Sequence, residues 1–398
     1  MRYVIIGNGV AGTTAAAAIR KADQDGSITM ISREEQPFYT RIRLPEVLSG
    51  GLESDALILH KEAWYQQQNI GLLLATAVEE IRPDRHEITT SSQSILTYDR
   101  LLLATGARPF LPPVPGIGKT GVMSLRTLGN AVSLKAFLDG PGKQVVLIGG
   151  GVLGLEAGHH LIKAGHAVTV VESLPRLLPR QMDDEGAALL RKQLESLGFS
   201  FVIGLQTREI TGEERAEAVV LENGQELRSD LVLVSAGVIP DIVLAQKAGA
   251  ATGRGIMVND RMETSLPDIY AAGDATEHLR SCYGLWPVAE RQGLVAGRNM
   301  AGGDELFMPA TPSSVLKVAG LELFSAGDID PDDKRESAVF TDPENYIYKK
   351  LVFDGSMLCG AILYGDLHDR QKLLRAIEDR TDLGSIKDDL VRGDLTGL

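Results

Sequence analysis

Tyr3-Val4-Ile5-Ile6-Gly7-Asn8-Gly9-Val10-Ala11-Gly12 reads as an apolar β-branched strand delivered into a glycine turn and then a helix, and the phrase recurs as Val145-Val146-Leu147-Ile148-Gly149-Gly150-Gly151-Val152-Leu153-Gly154. In such a phrase the first glycine permits the tight turn, the second lets backbone approach a pyrophosphate, and the third lets helix pack on strand. The phosphates rest on the helix N-terminus, where unpaired N–H groups and the macrodipole favour negative charge. A lone glycine triplet is a weak signal, but both copies follow an apolar strand and open a helical stretch, as the mechanism requires. Two such cradles predict an α/β chain with two Rossmann-like dinucleotide-binding domains, able to hold a flavin and a nicotinamide together.

The acid expected about 20 residues on, to grip ribose hydroxyls, separates the copies. After the second, Val168-Thr169-Val170-Val171 ends in Glu172. After the first, Ile28-Thr29-Met30-Ile31 ends in Ser32, and the nearest acids are Glu34 and Glu35.

A net charge of -13 argues against a sequence-independent grip on nucleic acid, which needs a basic surface to displace counterions. No run of about 18 apolar residues marks a membrane span. Arg2 before an apolar stretch, with Ala15 to Ala18 behind it, mimics a signal peptide, but the glycine pattern and Asn8, Thr13 and Thr14 within it argue otherwise, so the expected location is the cytoplasm. The two cysteines, Cys282 and Cys359, have no CxxC or His-Cys spacing and read as small buried hydrophobes. No metal site is expected: His159 and His160 are adjacent on a helix, and no HExxH appears.

The first segment closes with Leu101-Leu102-Leu103-Ala104-Thr105-Gly106-Ala107-Arg108-Pro109, and Pro112, Pro113, Pro115 and Gly116 punctuate a crossover. A second βαβ segment ends in a parallel phrase, Leu231-Val232-Leu233-Val234-Ser235-Ala236-Gly237-Val238-Ile239-Pro240, so the halves repeat one plan. Thr264-Ser265-Leu266-Pro267-Asp268-Ile269-Tyr270-Ala271-Ala272-Gly273-Asp274 is a short strand ending in Gly-Asp, placed either to meet a hydroxylated ligand or to cap the following helix, expected over 289–300. From Ser313 the pattern changes to strand-like pieces over 346–353 and 358–363 and a helix over 368–378, a smaller α+β domain.

These motifs, in this order, resemble the FAD-dependent pyridine-nucleotide oxidoreductases with two dinucleotide-binding domains, and most nearly the NADH:rubredoxin oxidoreductases and the flavoprotein part of assimilatory nitrite reductase large subunits. The phrases Pro37-Phe38-Tyr39-Thr40-Arg41-Ile42-Arg43-Leu44-Pro45 and Leu316-Lys317-Val318-Ala319-Gly320-Leu321-Glu322-Leu323-Phe324-Ser325-Ala326-Gly327-Asp328 add to the likeness. The resemblance implies a discontinuous FAD domain, 1–113 and 240–308, with an NAD domain over 114–239 inserted and a C-terminal α+β domain over 309–398. It implies that Gly7, Gly9, Val10, Ala11 and Gly12 hold FAD, with Glu34 a candidate for its ribose. Ala104, Thr105, Gly106 and Gly273 border the same cofactor, and Asp274 contacts its ribityl and pyrophosphate region. Gly149, Gly151, Val152, Leu153, Gly154, Glu172 and Gly237 hold NADH, and Glu156 faces the nicotinamide as the catalytic candidate. Arg41 and Arg43 suit the FAD pyrophosphate or ring edge and equally suit a solvated surface; Trp286 suits the ring or the core.

Departures from the family narrow the reaction. The cysteine pair of the disulfide reductases is missing, and Ile42 stands where the peroxidase and coenzyme A-disulfide branch has its single cysteine. Glu46 stands where related ferredoxin reductases carry a flavin-contacting lysine. With two cysteines the sequence is not expected to hold a siroheme or an iron–sulfur cluster, and so not to be a complete nitrite reductase. The resemblance implies NADH reducing FAD and FAD reducing a small redox protein such as rubredoxin. An NADH oxidase or diaphorase, a nitrite-reductase-type electron-transfer flavoprotein, and an NADH-responsive sensor or scaffold resembling apoptosis-inducing factor are the other readings.

Overall fold

The computed structural model describes residues 1–308, 311, 313–330, 332–386 and 389. They divide into two compact units, Met1–Arg41 with Glu53–Pro109 and Val238–Pro309, and Ile42–Leu52 with Phe110–Gly237 and Ala310–Leu398.

In the first unit the strand Arg2–Ile6 is the centre of a five-stranded parallel sheet, ordered Ile269–Ala271, Arg100–Leu103, Arg2–Ile6, Ser27–Ile31, Ile70–Leu73. The apolar N-terminal stretch that mimics a leader is thus a central strand, buried from Tyr3 to Ile6, as near-continuous apolar runs in parallel sheets require. The helix Val10–Ala22 follows the fingerprint directly and packs on the helix Trp286–Met300. Contact there is backbone-close: a Cβ at Gly293 or Gly297 would stand 2.4 Å from Ala11 O or 2.5 Å from Ala15 O. A three-stranded antiparallel sheet, Val78–Arg82, Glu87–Thr90 and Ile95–Thr97, is inserted before Arg100–Leu103.

The second unit repeats the plan. Gln144–Ile148 is central in a five-stranded parallel sheet ordered Phe199–Ile203, Ala167–Glu172, Gln144–Ile148, Leu231–Val234, Val122–Ser124. It too carries a three-stranded antiparallel insertion, Thr207–Thr211, Ala218–Leu221 and Glu226–Arg228. Residues 42–52, expected in the first segment, belong to this unit. The short helix Leu44–Leu48 buries Leu44, Val47 and Leu48 and packs against the helices Leu128–Leu138 and Val152–Lys163.

The C-terminal residues form an antiparallel five-stranded sheet, ordered Ser313–Val318, Leu321–Gly327, Met357–Tyr364, Ile347–Asp354, Glu336–Asp342, covered by the helix Arg370–Glu378. This sheet has its own core and lies in the second unit, where Tyr348 and Lys350 also bond to Asp183. Among the described residues, no helix is long and apolar enough to cross a membrane.

Candidate functional site

Both glycine turns take the shape their roles demand. Gly7 has φ 117°, and a Cβ there would stand 2.0 Å from Ala104 O; Gly149 has φ 113°, and its Cβ would stand 2.4 Å from Ser235 O. Ser235-Ala236-Gly237 thus stands to the second turn as Ala104-Thr105-Gly106 stands to the first. At the middle glycines the opposite holds: a Cβ at Gly9 or Gly151 would meet nothing within 4 Å. Neither Gly9 nor Gly151, the N-cap of its helix, makes a side-chain cap bond, and neither first turn contains an acid. Val10-Ala11-Gly12 and Val152-Leu153-Gly154 therefore present first-turn N–H groups of positive character on an open face, the arrangement that suits phosphate oxygens. The residues present fit a dinucleotide at each turn.

Around the first cradle, Thr105 Oγ1 donates to Asp241 O at 2.7 Å, and Asp241 N donates to Gly106 O at 2.9 Å. These bonds extend an antiparallel ribbon of Ala107–Pro109 on Val238–Pro240 and fix Gly106 at φ 71°. Gly273 N donates to Gln292 Oε1 at 2.9 Å, and Thr276 Oγ1 donates to the same oxygen at 3.0 Å, anchoring the Gly-Asp turn on the long helix. Asp274 is half-buried and does not cap that helix: Leu285 is its N-cap, and the strand Thr276–His278 intervenes. The helix itself begins at Trp286, earlier than expected, with Pro287 in its first turn. Trp286 is half-buried, its ring 5.9 Å from that of Phe38.

Two groups at this cradle escape sequence reasoning. Asn8 accepts from Tyr65 Oη at 2.9 Å through Oδ1, while its buried Nδ2 finds no partner among the described residues. Gln292, 1% exposed, likewise leaves Nε2 without one. Each is a donor next to a glycine turn, and nothing in the sequence marks either beyond the phrase it sits in.

Glu34 and Arg41 answer each other. Arg41 Nη2 lies 2.6 Å from Glu34 Oε1, Tyr39 Oη donates to Glu34 Oε2 at 2.5 Å, and the guanidinium stands 4.9 Å over the Tyr39 ring. Burial pushes the Glu34 carboxyl up, but Arg41 and Tyr39 outweigh it and hold the group below the usual carboxylate range. Arg41 is thus a paired, half-buried residue and not a solvated one. Arg43 belongs to the second unit, where it precedes the helix Leu44–Leu48 and makes a bidentate pair with Glu46 at 2.6 and 2.7 Å.

In the second cradle Glu172, 8% exposed, is fixed by backbone: Oε2 accepts from Gly150 N at 2.7 Å and Oε1 from Leu174 N at 2.8 Å. Arg176, four residues past Glu172, donates to Met182 O at 3.2 Å and pairs with Asp184 at 2.8 Å. On the helix Val152–Lys163, half-buried Glu156 accepts from Ala319 N at 2.7 Å. Burial raises its carboxyl above the usual range, with the Ala319 N–H pulling the other way. Gly237, at φ 104°, is exposed. Cys282 and Cys359, expected as small buried hydrophobes, are both half-buried; Cys359 Sγ lies 3.4 Å from Val352 O. Among the described residues no group of His, Cys, Asp and Glu is arranged to hold a metal ion.

Residues 1–293 match the pyridine nucleotide-disulphide oxidoreductase family, and residues 312–381 match the rubredoxin NAD+ reductase C-terminal domain. The chain is 35% identical to a nitrite reductase [NAD(P)H] of Bacillus subtilis, covering 96% of this chain and 48% of that one. It is 31% identical to an NADH-rubredoxin oxidoreductase of Clostridium acetobutylicum, covering 97% of this chain and 96% of that one. The chain therefore spans about half the length of the first relative (48%) and nearly all of the second (96%). Among solved structures, the covalent putidaredoxin reductase–putidaredoxin complex is similar with a TM-score of 0.87 at 26% identity, over 99% of both chains.

Proposed function

Because this chain belongs to the pyridine nucleotide-disulphide oxidoreductase family, we propose that it carries electrons from NADH, by way of FAD, to a small redox protein of the rubredoxin kind. Residues 1–113 and 240–308, less the 42–52 stretch that packs in the second unit, would hold FAD, 114–239 would hold NADH, and 309–398 would be the C-terminal α+β domain. The observation that carries this reading is the pair of open, uncapped glycine cradles, each at the centre of its own parallel sheet. The acceptor class is supported by the C-terminal match and by the Clostridium relative, aligned over nearly all of both chains.

Bound FAD supplies the chemistry that joins a two-electron donor to one-electron acceptors. The protein supplies placement. Gly9 leaves room for the FAD pyrophosphate on the N–H groups of Val10 to Gly12, Gly12 lets that helix close on the turn at Gly7, and Asp274 would accept from hydroxyls at the strand edge. Glu172 keeps lone pairs on both oxygens for the adenine ribose of NADH after meeting its two backbone donors. Glu156 lies on the helix that starts at the second cradle and offers a carboxyl to the nicotinamide end. Hydride transfer needs orientation more than proton transfer, so no side chain is assigned as general acid or base.

The direct test is to purify the protein and titrate it anaerobically with NADH. One FAD per chain, bleached by one equivalent of NADH, is expected; a colourless protein that FAD does not reconstitute sinks the proposal. Asp274→Ala is expected to release FAD, roughly 10- to 100-fold in Kd for lost bonds from a charged acceptor. FAD content unchanged after dialysis would remove Asp274 from the site. Replacing Cys282 and Cys359 together by Ser is expected to leave NADH-dependent flavin bleaching nearly intact, since neither stands in a spaced pair. Loss of bleaching at normal FAD content would bring thiol chemistry back.

A further inference from the structure

Two contacts from the C-terminal sheet reach residues flanking the second cradle, and the mechanism above uses neither. Ala319, at φ 54° in the turn between Ser313–Val318 and Leu321–Gly327, donates its N–H to Glu156 Oε1 at 2.7 Å. Elsewhere on the same sheet, Tyr348 and Lys350, both 0% exposed, converge on Asp183. Tyr348 Oη donates to Asp183 Oδ2 at 2.5 Å, and Lys350 Nζ stands 3.0 Å from that oxygen and 2.7 Å from Asp333 Oδ1. Asp183 uses its other oxygen, Oδ1, to accept from Gly186 N at 3.1 Å, capping the helix Asp184–Ser196.

Asp183 is also where the segment that begins at Glu172 ends. Leu174 N bonds back to Glu172 at 2.8 Å at its start, and Arg176 braces it near its end through Met182 O at 3.2 Å and Asp184 at 2.8 Å. A lysine ammonium with no exposure to water persists only where it is paired, so the place of Asp183 is set by the C-terminal sheet and not by solvent. Packing enforces the same register: a Cβ at Gly186 would stand 3.0 Å from the Tyr348 ring. The cluster thus fixes the far end of a segment whose near end holds the ribose-binding candidate.

We infer that the C-terminal sheet is a positioning element of the NADH site, steadying the 172–183 segment through Lys350 and Tyr348 and the Glu156 carboxyl through the Ala319 N–H. This rests on the second cradle being the NADH site. Lys350 and Tyr348 touch no coenzyme in this account and are positioning residues.

The experiment uses the full chain loaded with FAD, with Tyr348→Phe and Lys350→Met as variants. NAD+ affinity is measured by calorimetry, the apparent Kd for NADH and the limiting rate of flavin reduction by anaerobic rapid mixing, and amide protection over 173–182 by hydrogen exchange. Both variants are expected to bind NAD+ about 2- to 30-fold more weakly, the range for residues that act on a site without touching its ligand. Protection over 173–182 is expected to fall, and the limiting rate to change far less than the affinity. If Lys350→Met does not fold, Tyr348→Phe, which removes one hydroxyl and keeps the ring, decides alone. Unchanged NAD+ affinity in a folded variant, against a wild type that binds, overturns the inference and leaves the NADH reading standing. A wild type that binds FAD but no NAD+ overturns both.

Discussion

Gly9→Ala is expected to give a folded protein that has lost its FAD, whereas Gly7→Ala, two residues away, is expected not to fold. At Gly7 a side chain meets two obstacles, a φ of 117° that L-residues rarely adopt and a Cβ 2.0 Å from Ala104 O. Backbone strain and backbone overlap together should exceed about 4 kcal/mol, a large part of a domain's stability. Gly9 has φ -103° and ψ -165°, which alanine adopts freely, and its Cβ would meet nothing within 4 Å. The added methyl costs the folded chain only the small difference between glycine and alanine as N-cap, about 1 kcal/mol or less. It would occupy the face that a pyrophosphate must approach, so FAD should weaken by about 100-fold or more as charge-assisted bonds to the first-turn N–H groups are lost. Gly151→Ala is the matching control: it should keep FAD and lose NADH. FAD content and melting temperature of the three variants check the assignment, and a yellow, FAD-saturated Gly9→Ala protein would refute the first cradle.

Glu172→Ala is expected to erode a preference for NADH over NADPH by about 10- to 100-fold in relative kcat/KM, or roughly 1–3 kcal/mol. Two backbone N–H groups hold the carboxylate in place, so its charge stands where a 2′-phosphate would come while its remaining lone pairs suit two ribose hydroxyls. Arg176 gives little relief to a phosphate, since its guanidinium is committed to Met182 O and Asp184. The wild-type preference should therefore be stronger than an arginine four residues on would suggest. Because alanine also strands the Gly150 and Leu174 donors, Glu172→Gln is the companion variant, neutral yet able to accept. An unchanged coenzyme ratio in both would show that Glu172 does not select.

The features legible in the sequence are those that local chemistry decides. Each fingerprint announces strand, turn and helix within a dozen residues, and the recurrence of Leu-Leu-Leu-Ala-Thr-Gly as Leu-Val-Leu-Val-Ser-Ala-Gly shows the duplicated plan that the two matching sheet orders express. Side-chain commitments were hidden because both partners must be placed first. Glu34 and Arg41 each read as a cofactor ligand in the sequence, and only the fold shows that they also pair with each other at 2.6 Å. The helix Leu44–Leu48 is too short for its periodicity to declare a partner, so nothing in the sequence groups residues 42–52 with the second unit. Asn8 and Gln292 carry no motif signal of their own, and Asp183 meets Lys350 only after long-range folding brings distant stretches of chain together.

The central claim, that electrons entering from NADH leave for a small redox protein, is tested most directly by double mixing. The FAD-loaded protein is reduced anaerobically with one equivalent of NADH and then mixed separately with oxidised rubredoxin, ferredoxin, the catalytic part of a nitrite reductase, or oxygen, while flavin absorbance is followed. The account predicts rapid bleaching by NADH and reoxidation by rubredoxin well ahead of reoxidation by oxygen. Reoxidation fastest with oxygen, and indifferent to every protein acceptor, would contradict it.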